Sequence, residues 1–412
     1  MTTNPHTPAT PATPAATPAP LLAARALLER EVGGASSSGV WSSPGRANLI
    51  GEHTDYNEGF VLPFAIDFRT YVAATTTTAP ALRVASAFSG SAVDVPLQAL
   101  RTDDPASFRA AGYPDWALYA VGVAWAGLRE AGVDPGSVPG VVLADASEVP
   151  GGAGLSSSAA IEGAVGLALN DLWGLGLSRV QLAQVGQRAE NQVVDAPTGI
   201  MDQMASLLGQ ADCATFLDCR TLESEEVPLG FAAAGLEIAV INTRVKHAHA
   251  TGGYGARRAS CERGAAALGV SALRDVTEAD LPRAAALLDD ETYRRVRHVV
   301  TEDQRVLDTV AALRAGDMAP VGTLLDASHA SMRDDFEISV PELDSAVETA
   351  RTAGALGARM TGGGFGGCAI ALVPTGDVGR LSEAVLAEFA ARGFAEPEVF
   401  VTGAAQGGRR EA

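Results

Sequence analysis

A chain of 412 residues contains a single lysine, Lys246, and that scarcity removes whole classes of chemistry. Schiff-base or pyridoxal-phosphate catalysis would have to use Lys246, and a lysine-bearing P-loop needs Gly-Lys-Ser/Thr, which does not occur. Positive charge is scarce altogether: 30 Lys plus Arg face 49 Asp plus Glu, a net charge of −19. So acidic a surface repels a polyphosphate backbone, which removes nucleic acid as an expected partner. Cysteine is scarce too, with Cys213, Cys219, Cys261 and Cys368 scattered and none in a Cys-x-x-Cys pair. That excludes a disulfide framework and predicts reduced thiols in a cytoplasmic protein. No run approaches the roughly 20 apolar residues of a membrane span, and the N-terminus lacks the basic-then-apolar pattern of a signal peptide. The expectation is a cytoplasmic monomer with no membrane partner.

What is present suffices for real cores. Apolar residues make up 47% and charged residues 19%, within the globular range, and the length allows two or three domains. Residues 1–20 repeat Thr-Pro-Ala with six prolines and are expected to form a disordered tail. The folded body then divides into 21–215 and 216–412. Spacing predicts a helix over 21–32, with Leu21, Ala24, Leu28 and Val32 on one face and Gly33 as stop. Strands are expected at 61–77 and 141–144, then helices at 159–173 and 181–190. The second half reads as a strand at 236–241, a long helix through Val299, Val306, Val310 and Leu313 closed by Gly316, a strand at 369–373, a helix at 378–391 and a strand at 399–401. Interleaved strands and helices imply mixed sheets covered by helices in both halves.

Residues 150–160, Pro-Gly-Gly-Ala-Gly-Leu-Ser-Ser-Ser-Ala-Ala, join a strand to a helix through residues with almost no side chain. Such a loop lets main-chain N–H groups approach an anion, with the helix N-terminus behind them and serine hydroxyls available to phosphate or a magnesium ion. Residues 44–59 pack Arg46, Glu52, His53, Asp55 and Asn57 between the core-type runs Leu49-Ile50 and Phe60-Val61-Leu62. Carboxylates and imidazole at that density suit the hydroxyls of a sugar. In Gly199-Ile-Met-Asp-Gln203 a carboxylate, Asp202, sits among apolar neighbours and must be paired or functional. The run Thr361-Gly-Gly-Gly-Phe-Gly-Gly367 contains Gly-x-Gly-x-x-Gly but precedes a strand, so a dinucleotide fold is not implied, and a turn closing over a ligand fits better. His247 and His249 make at most half a metal site, and Tyr254 is expected in a glycine-flanked loop where its ring can stack.

In this order, these segments resemble the superfamily named for galactokinase, homoserine kinase, mevalonate kinase and phosphomevalonate kinase, and the galactokinase branch of it. The resemblance rests on residues 45–56, Gly-Arg-Ala-Asn-Leu-Ile-Gly-Glu-His-Thr-Asp-Tyr, on Gly-Ala-Gly-Leu-Ser-Ser-Ser-Ala at 152–159, on the glycine run at 361–367, and on 199–203 and 328–335. It implies an α+β, two-domain kinase fold with its active site in the interdomain cleft, and ATP-dependent phosphorylation of galactose at C1. It also implies that Glu52, His53, Thr54 and Asp55 bind galactose, with Gly199 and Tyr254 completing the pocket. Asp202 would be the base and Arg46 its partner. Gly152, Ala153, Gly154, Leu155, Ser156, Ser157 and Ser158 would hold ATP, joined by Ser86 and Trp116, with Ser158 and Glu190 as Mg2+ ligands. Lys246 stands where relatives carry a basic residue. The Thr-Pro-Ala tail has no counterpart in those motifs, and Gly252-Gly253 leave the stretch before Tyr254 unusually bare. Two other readings stay open: a kinase for N-acetylgalactosamine or arabinose, and a galactose and ATP sensor without catalysis.

Overall fold

The computed structural model describes residues 17–34, 39–245 and 250–411, so Lys246, His247, His249 and residues 1–16 of the expected tail lie outside the described residues. Strands β1 (Gly39–Asn48), β3 (Pro63–Thr77), β4 (Ala81–Ser86), β5 (Ser91–Pro96), β6 (Gly140–Ser147) and β13 (Arg409–Arg410) form a six-stranded sheet in the order β13-β1-β3-β6-β4-β5. All its pairings are antiparallel except β4 with β6. The alternation of β3 shows why it is covered on both sides. Tyr71 and Ala73 pack on the helix Ala19–Val32, while Val72 and Ala74 join Val121, Val165 and Met204 from helices on the other face.

A second sheet, in the order β10-β11-β9-β12, comprises β9 (Leu236–Asn242), β10 (Gly357–Thr361), β11 (Cys368–Pro374) and β12 (Glu398–Thr402). One of its faces packs Ala239, Ile241, Met360 and Ala371 on helices that include Asp290–Ala315, Pro341–Thr352 and Val378–Arg392. The other packs Ile238, Val240, Ile370 and Leu372 directly against Leu49, Ile50, Leu62, Phe64 and Ile66. A small third sheet joins β2 (Phe60–Val61), β7 (Cys213–Asp218) and β8 (Ser224–Pro228). The two halves thus share an apolar core directly beneath residues 44–62, and β13 returns from the C-terminus to pair with β1.

Helices end where glycine ends them. Gly33, Gly174 and Gly316 each follow a helix in the left-handed conformation, the C-terminal geometry that a Cβ disfavours. Tyr254 corrects an expectation: it lies on the helix Ala250–Leu268, not in a loop. Gly253 serves close packing there, since a Cβ would stand 2.7 Å from the Phe365 ring.

Candidate active site

A cavity of about 350 Å³ opens between the two halves, lined by residues from β1, the turn after it, the glycine-serine loop, residues 190–202, Tyr254 and Gly362 to Gly364. Every residue of β1 is buried, and Arg46, 4% exposed, turns its guanidinium into the cleft. It donates to both oxygens of Asp202, Nε to Oδ1 at 2.7 Å and Nη2 to Oδ2 at 2.8 Å, while Nη1 donates to the Gly154 carbonyl at 2.6 Å. A bidentate pair of this kind fixes direction as well as charge. Burial works against the Arg46 charge, but Asp202 and Glu52 outweigh it and raise its pKa. Asp202 sits in the first turn of the helix Met201–Leu208, and Ser156 also donates its hydroxyl to Asp202 Oδ2.

The turn after β1 is folded by left-handed residues at Gly51 (φ 102°) and His53 (φ 63°). Glu52 accepts from the Gly362 amide at 2.6 Å and from the Asn48 side chain, and burial pushes its carboxyl up to about 7. His53 faces the Gly363 carbonyl at 3.2 Å through Nε2 and the Tyr56 hydroxyl at 2.7 Å through Nδ1. A carbonyl can only accept, so Nε2 carries the proton and Nδ1 accepts from Tyr56. Burial lowers the ring to about 3, which keeps it neutral. Asp55 accepts from the amides of Tyr56 at 2.9 Å and Met201 at 3.4 Å, and burial, with Asp202 nearby, pushes its carboxyl up to about 6. Gly199 has to be glycine for space: a Cβ would fall 1.8 Å from Asp55 Oδ2. Tyr254 closes this side, its ring 4.8 Å from His53 and 5.5 Å from Tyr56.

On the opposite side, Gly152 (φ 71°), Gly154 (φ 77°) and Ser156 (φ 55°) carry the chain in left-handed steps from β6 to the helix Ser157–Trp173. Ser156, Ser157 and Ser158 line the cleft at that helix's N-terminus, where main-chain donors and the helix dipole favour an anion. The Ser158 side chain stands near enough to Glu190 to favour its ionised carboxylate. Glu190 sits on a π-helical turn, Ala189–Val194, that extends the helix Arg179–Arg188. It also accepts from Thr198 and Gln203, both at 2.9 Å, and burial and Asp202 raise its pKa. Arg46 is the one cationic side chain lining the cavity among the described residues, against Glu52, Asp55, Glu190 and Asp202. An oxygen-only pair in so negative a setting fits a hard divalent cation. Among the described residues no three His, Cys, Asp or Glu side chains are grouped so as to hold a metal ion by themselves, so further ligands to a cation at this pair would have to come from phosphate and water.

Four expected site residues do not line the cavity. Thr54 is fully buried, and its single hydroxyl proton is shared between the carbonyls of Gly51 at 2.9 Å and Phe60 at 2.6 Å, which ties the turn together. Ala153 packs in the core shared by the two halves. Ser86 donates to Asp145 at 3.0 Å, and Trp116 packs on the N-terminal core. Lining residues not anticipated as site members include Tyr119, Thr198 and Met201. Also unanticipated is the buried support beneath the site: Glu302, Arg359 and His298 under the turn, and Glu162, which shares the Gln203 amide with Glu190. Glu302 was legible in one respect, falling on the apolar stripe between Val299 and Val306 where a charge needs a partner.

Comparison with known proteins gives three family matches: a galactokinase galactose-binding signature over residues 28–76, the N-terminal domain of GHMP kinases over 119–210 and their C-terminal domain over 309–391. The chain is 51% identical over 385 residues to a galactokinase of Streptomyces coelicolor, covering 92% of this chain and 96% of that protein. It is 44% identical over 367 residues to a galactokinase of Mycobacterium tuberculosis, covering 89% and 98%. The crystal structure of Lactococcus lactis galactokinase complexed with galactose superimposes with a TM-score of 0.85 at 34% identity, covering 93% of this chain and 98% of that one. A mevalonate kinase structure, at 17% identity and TM-score 0.63, shares the fold.

Proposed function

The chain belongs to the galactokinase family of the GHMP kinases, and on that premise we propose how its cleft divides the work of moving the γ-phosphate of ATP to the C1 hydroxyl of galactose. The products are galactose 1-phosphate and ADP. The observation that carries our assignment of roles is the two-point pairing of Arg46 with Asp202 in the cleft. Among the described residues Asp202 Oδ1 accepts one donor, which leaves a lone pair for the C1 hydroxyl. As the C1 oxygen attacks phosphorus, its proton passes to Asp202, and Arg46 offsets the carboxylate and the charge on the transferring phosphoryl group.

Glu52, His53, Asp55, Gly199 and Tyr254 form the sugar side. In support, a neutral polyol needs fixed acceptors, and among the described residues each oxygen of Asp55 holds one amide donor. Gly152 to Ser158 form the phosphate side, with charge provided by the helix start and not by lysine. Ser158 and Glu190 would hold Mg2+, which when bound neutralises charge on the β- and γ-phosphate oxygens. The four cysteines are free, which supports a reducing, cytoplasmic setting, and no helix among the described residues is long and apolar enough to cross a membrane.

The test is ADP release with ATP and Mg2+, adding galactose, N-acetylgalactosamine, arabinose, glucose or no sugar. Galactose-dependent release is expected. Folded protein that binds galactose and ATP yet releases no ADP with any sugar would make it a sensor and overturn the assignment.

A further inference from the structure

The turn that carries Glu52, His53 and Asp55 is held by its main chain from the far half of the molecule. Glu302, on the helix Asp290–Ala315, is fully buried. Its Oε1 accepts from the amides of Gly51 at 3.0 Å and Glu52 at 3.4 Å and from the Ser328 hydroxyl at 2.6 Å, and its Oε2 accepts from Arg305 Nε at 2.7 Å. Arg359, central in β10 and equally buried, donates through Nη1 to the carbonyls of Asn48 at 3.1 Å and Leu49 at 2.9 Å. Its Nη2 stands 3.7 Å from both Glu52 Oε2 and Glu302 Oε1. A buried carboxylate thus holds the amides of residues 51 and 52, a buried guanidinium holds the carbonyls of residues 48 and 49, and the two stand 3.7 Å apart.

Stability alone does not call for this arrangement, because buried ion pairs of this kind are commonly no more stabilising than apolar residues of the same volume. Burial favours the neutral form of Glu302, yet Arg305 and Arg359 hold its carboxyl well below the usual range, so the grip stays charged. Its geometric consequence is specific. Fixing the Glu52 amide from below leaves the Glu52 carboxylate and the His53 ring directed at Gly362 and Gly363, across the mouth of the cleft.

We infer that Glu302 and Arg359 are positioning residues for galactose: they touch no sugar, but they hold the main chain of residues 48–52 so that Glu52, His53 and Asp55 keep the spacing that the sugar requires. The inference rests on the reading that galactose binds on this turn. ATP contacts a different loop, so the two substrates should report the loss differently.

Glu302→Gln, Arg359→Lys and Ser328→Ala in the full chain test it, with kcat and the KM for each substrate, and with the shift in unfolding temperature that galactose or ATP alone produces. Glu302→Gln and Arg359→Lys should each raise the galactose KM about tenfold or more and remove most of the galactose-induced shift, as loss of hydrogen bonds to charged groups implies. The ATP KM should stay within about twofold, since the phosphate loop keeps its contacts. Ser328→Ala removes a single bond and should raise the galactose KM about two- to fivefold, which keeps the test open if the other variants do not fold. Galactose and ATP constants that move together, or a galactose KM unchanged in all folded variants, would overturn the inference. Wild-type turnover independent of galactose would overturn the parent reading and the inference with it.

Discussion

Two loops face each other across the cleft, and they are built on opposite plans. On the proposed sugar side, no residue of 48–60 is exposed, most are buried, and the segment is cross-linked to distant elements through Glu302, Asp303, Thr361, Gly362 and Gly363. On the phosphate side, Gly151 and Gly152 are exposed, a Cβ at either would touch nothing, and residues 149–158 contain no ionisable side chain. On the proposed assignment of the sugar to the first loop and the triphosphate to the second, the substrates account for the difference. A neutral sugar is told from its isomers by hydroxyl positions, which demand side chains held to fractions of an ångström. A triphosphate offers charge, which main-chain N–H groups and a helix dipole recognise with little side-chain precision.

The comparison breaks most severely at the residue that lies between the two loops and accepts from both Arg46 and Ser156. Asp202→Asn should lower kcat by about a hundred- to ten-thousandfold, the usual contribution of a positioned base, while galactose affinity persists because Asn can keep the Met201–Leu208 helix in place. Equal loss of binding and turnover would show Asp202 acting as a ligand and not as the base.

Next in size is a paired glycine experiment. Gly199→Ala puts a Cβ 1.8 Å from Asp55 Oδ2, so Asp55 must leave its place. The galactose KM should rise about ten- to a hundredfold, the scale of one or two lost charge-assisted bonds. Gly151→Ala meets nothing within 4 Å and should leave every kinetic constant within about twofold, as open surface positions do. Two equal responses would mean that the phosphate side is as tightly fitted as the sugar side.

pH separates the loops more gently. Burial raises Asp55 to about 6 and Glu52 to about 7, so both take up protons in the folded protein at a pH where the unfolded chain has released them. Their favourable contribution to stability is therefore present in full below about pH 4, near the unfolded carboxyl values, and lost as pH rises through 6 to 7. Galactose should show the opposite trend, because ionised carboxylates are the better acceptors for its hydroxyls: its KM should fall about tenfold from pH 5.5 to 8. A KM flat over that range, measured with the unfolding temperature of the ligand-free protein, would remove these carboxylates from sugar recognition.

How much was legible in the sequence divides along the same line. The phosphate loop and the helix it feeds are contiguous, so strand, small residues and serines could be read together within 140–173. Gly33, Gly174 and Gly316 were equally local signals for helix ends. The chemistry-bearing residues of the sugar turn were legible as types, and Arg46, Glu52, His53, Asp55 and Asp202 do line one cavity. What holds them was not, because Arg359 reaches Asn48 across 311 positions and Glu302 reaches Gly51 across 251. Thr54 illustrates the limit: its neighbours Glu52, His53 and Asp55 face the cleft, but the left-handed turn at His53 directs Thr54 into the turn's own carbonyls. Tyr254 shows another, since Gly253, one of the glycines that suggested a loop, admits the Phe365 ring against a helix.

A smaller change than the pH trend is expected at Gly152, where the two plans can be told apart most finely. A Cβ at this position meets no atom within 4 Å, so the cost of alanine is conformational: at φ 71° an L-residue with a side chain pays about 1 kcal/mol relative to glycine. That strain can be relieved by a local change in the loop, which would turn one or two N–H groups away from the phosphates. Gly152→Ala should accordingly raise the ATP KM about two- to fivefold and leave the galactose KM unchanged, because 1 kcal/mol is worth roughly a fivefold change in binding. Arg46 makes the outcome informative, since it donates both to Gly154 in this loop and to Asp202 beside the sugar. If strain at Gly152 travelled along that path, the galactose KM would rise with that of ATP, and the loops would have to be treated as one rigid unit joined through Arg46.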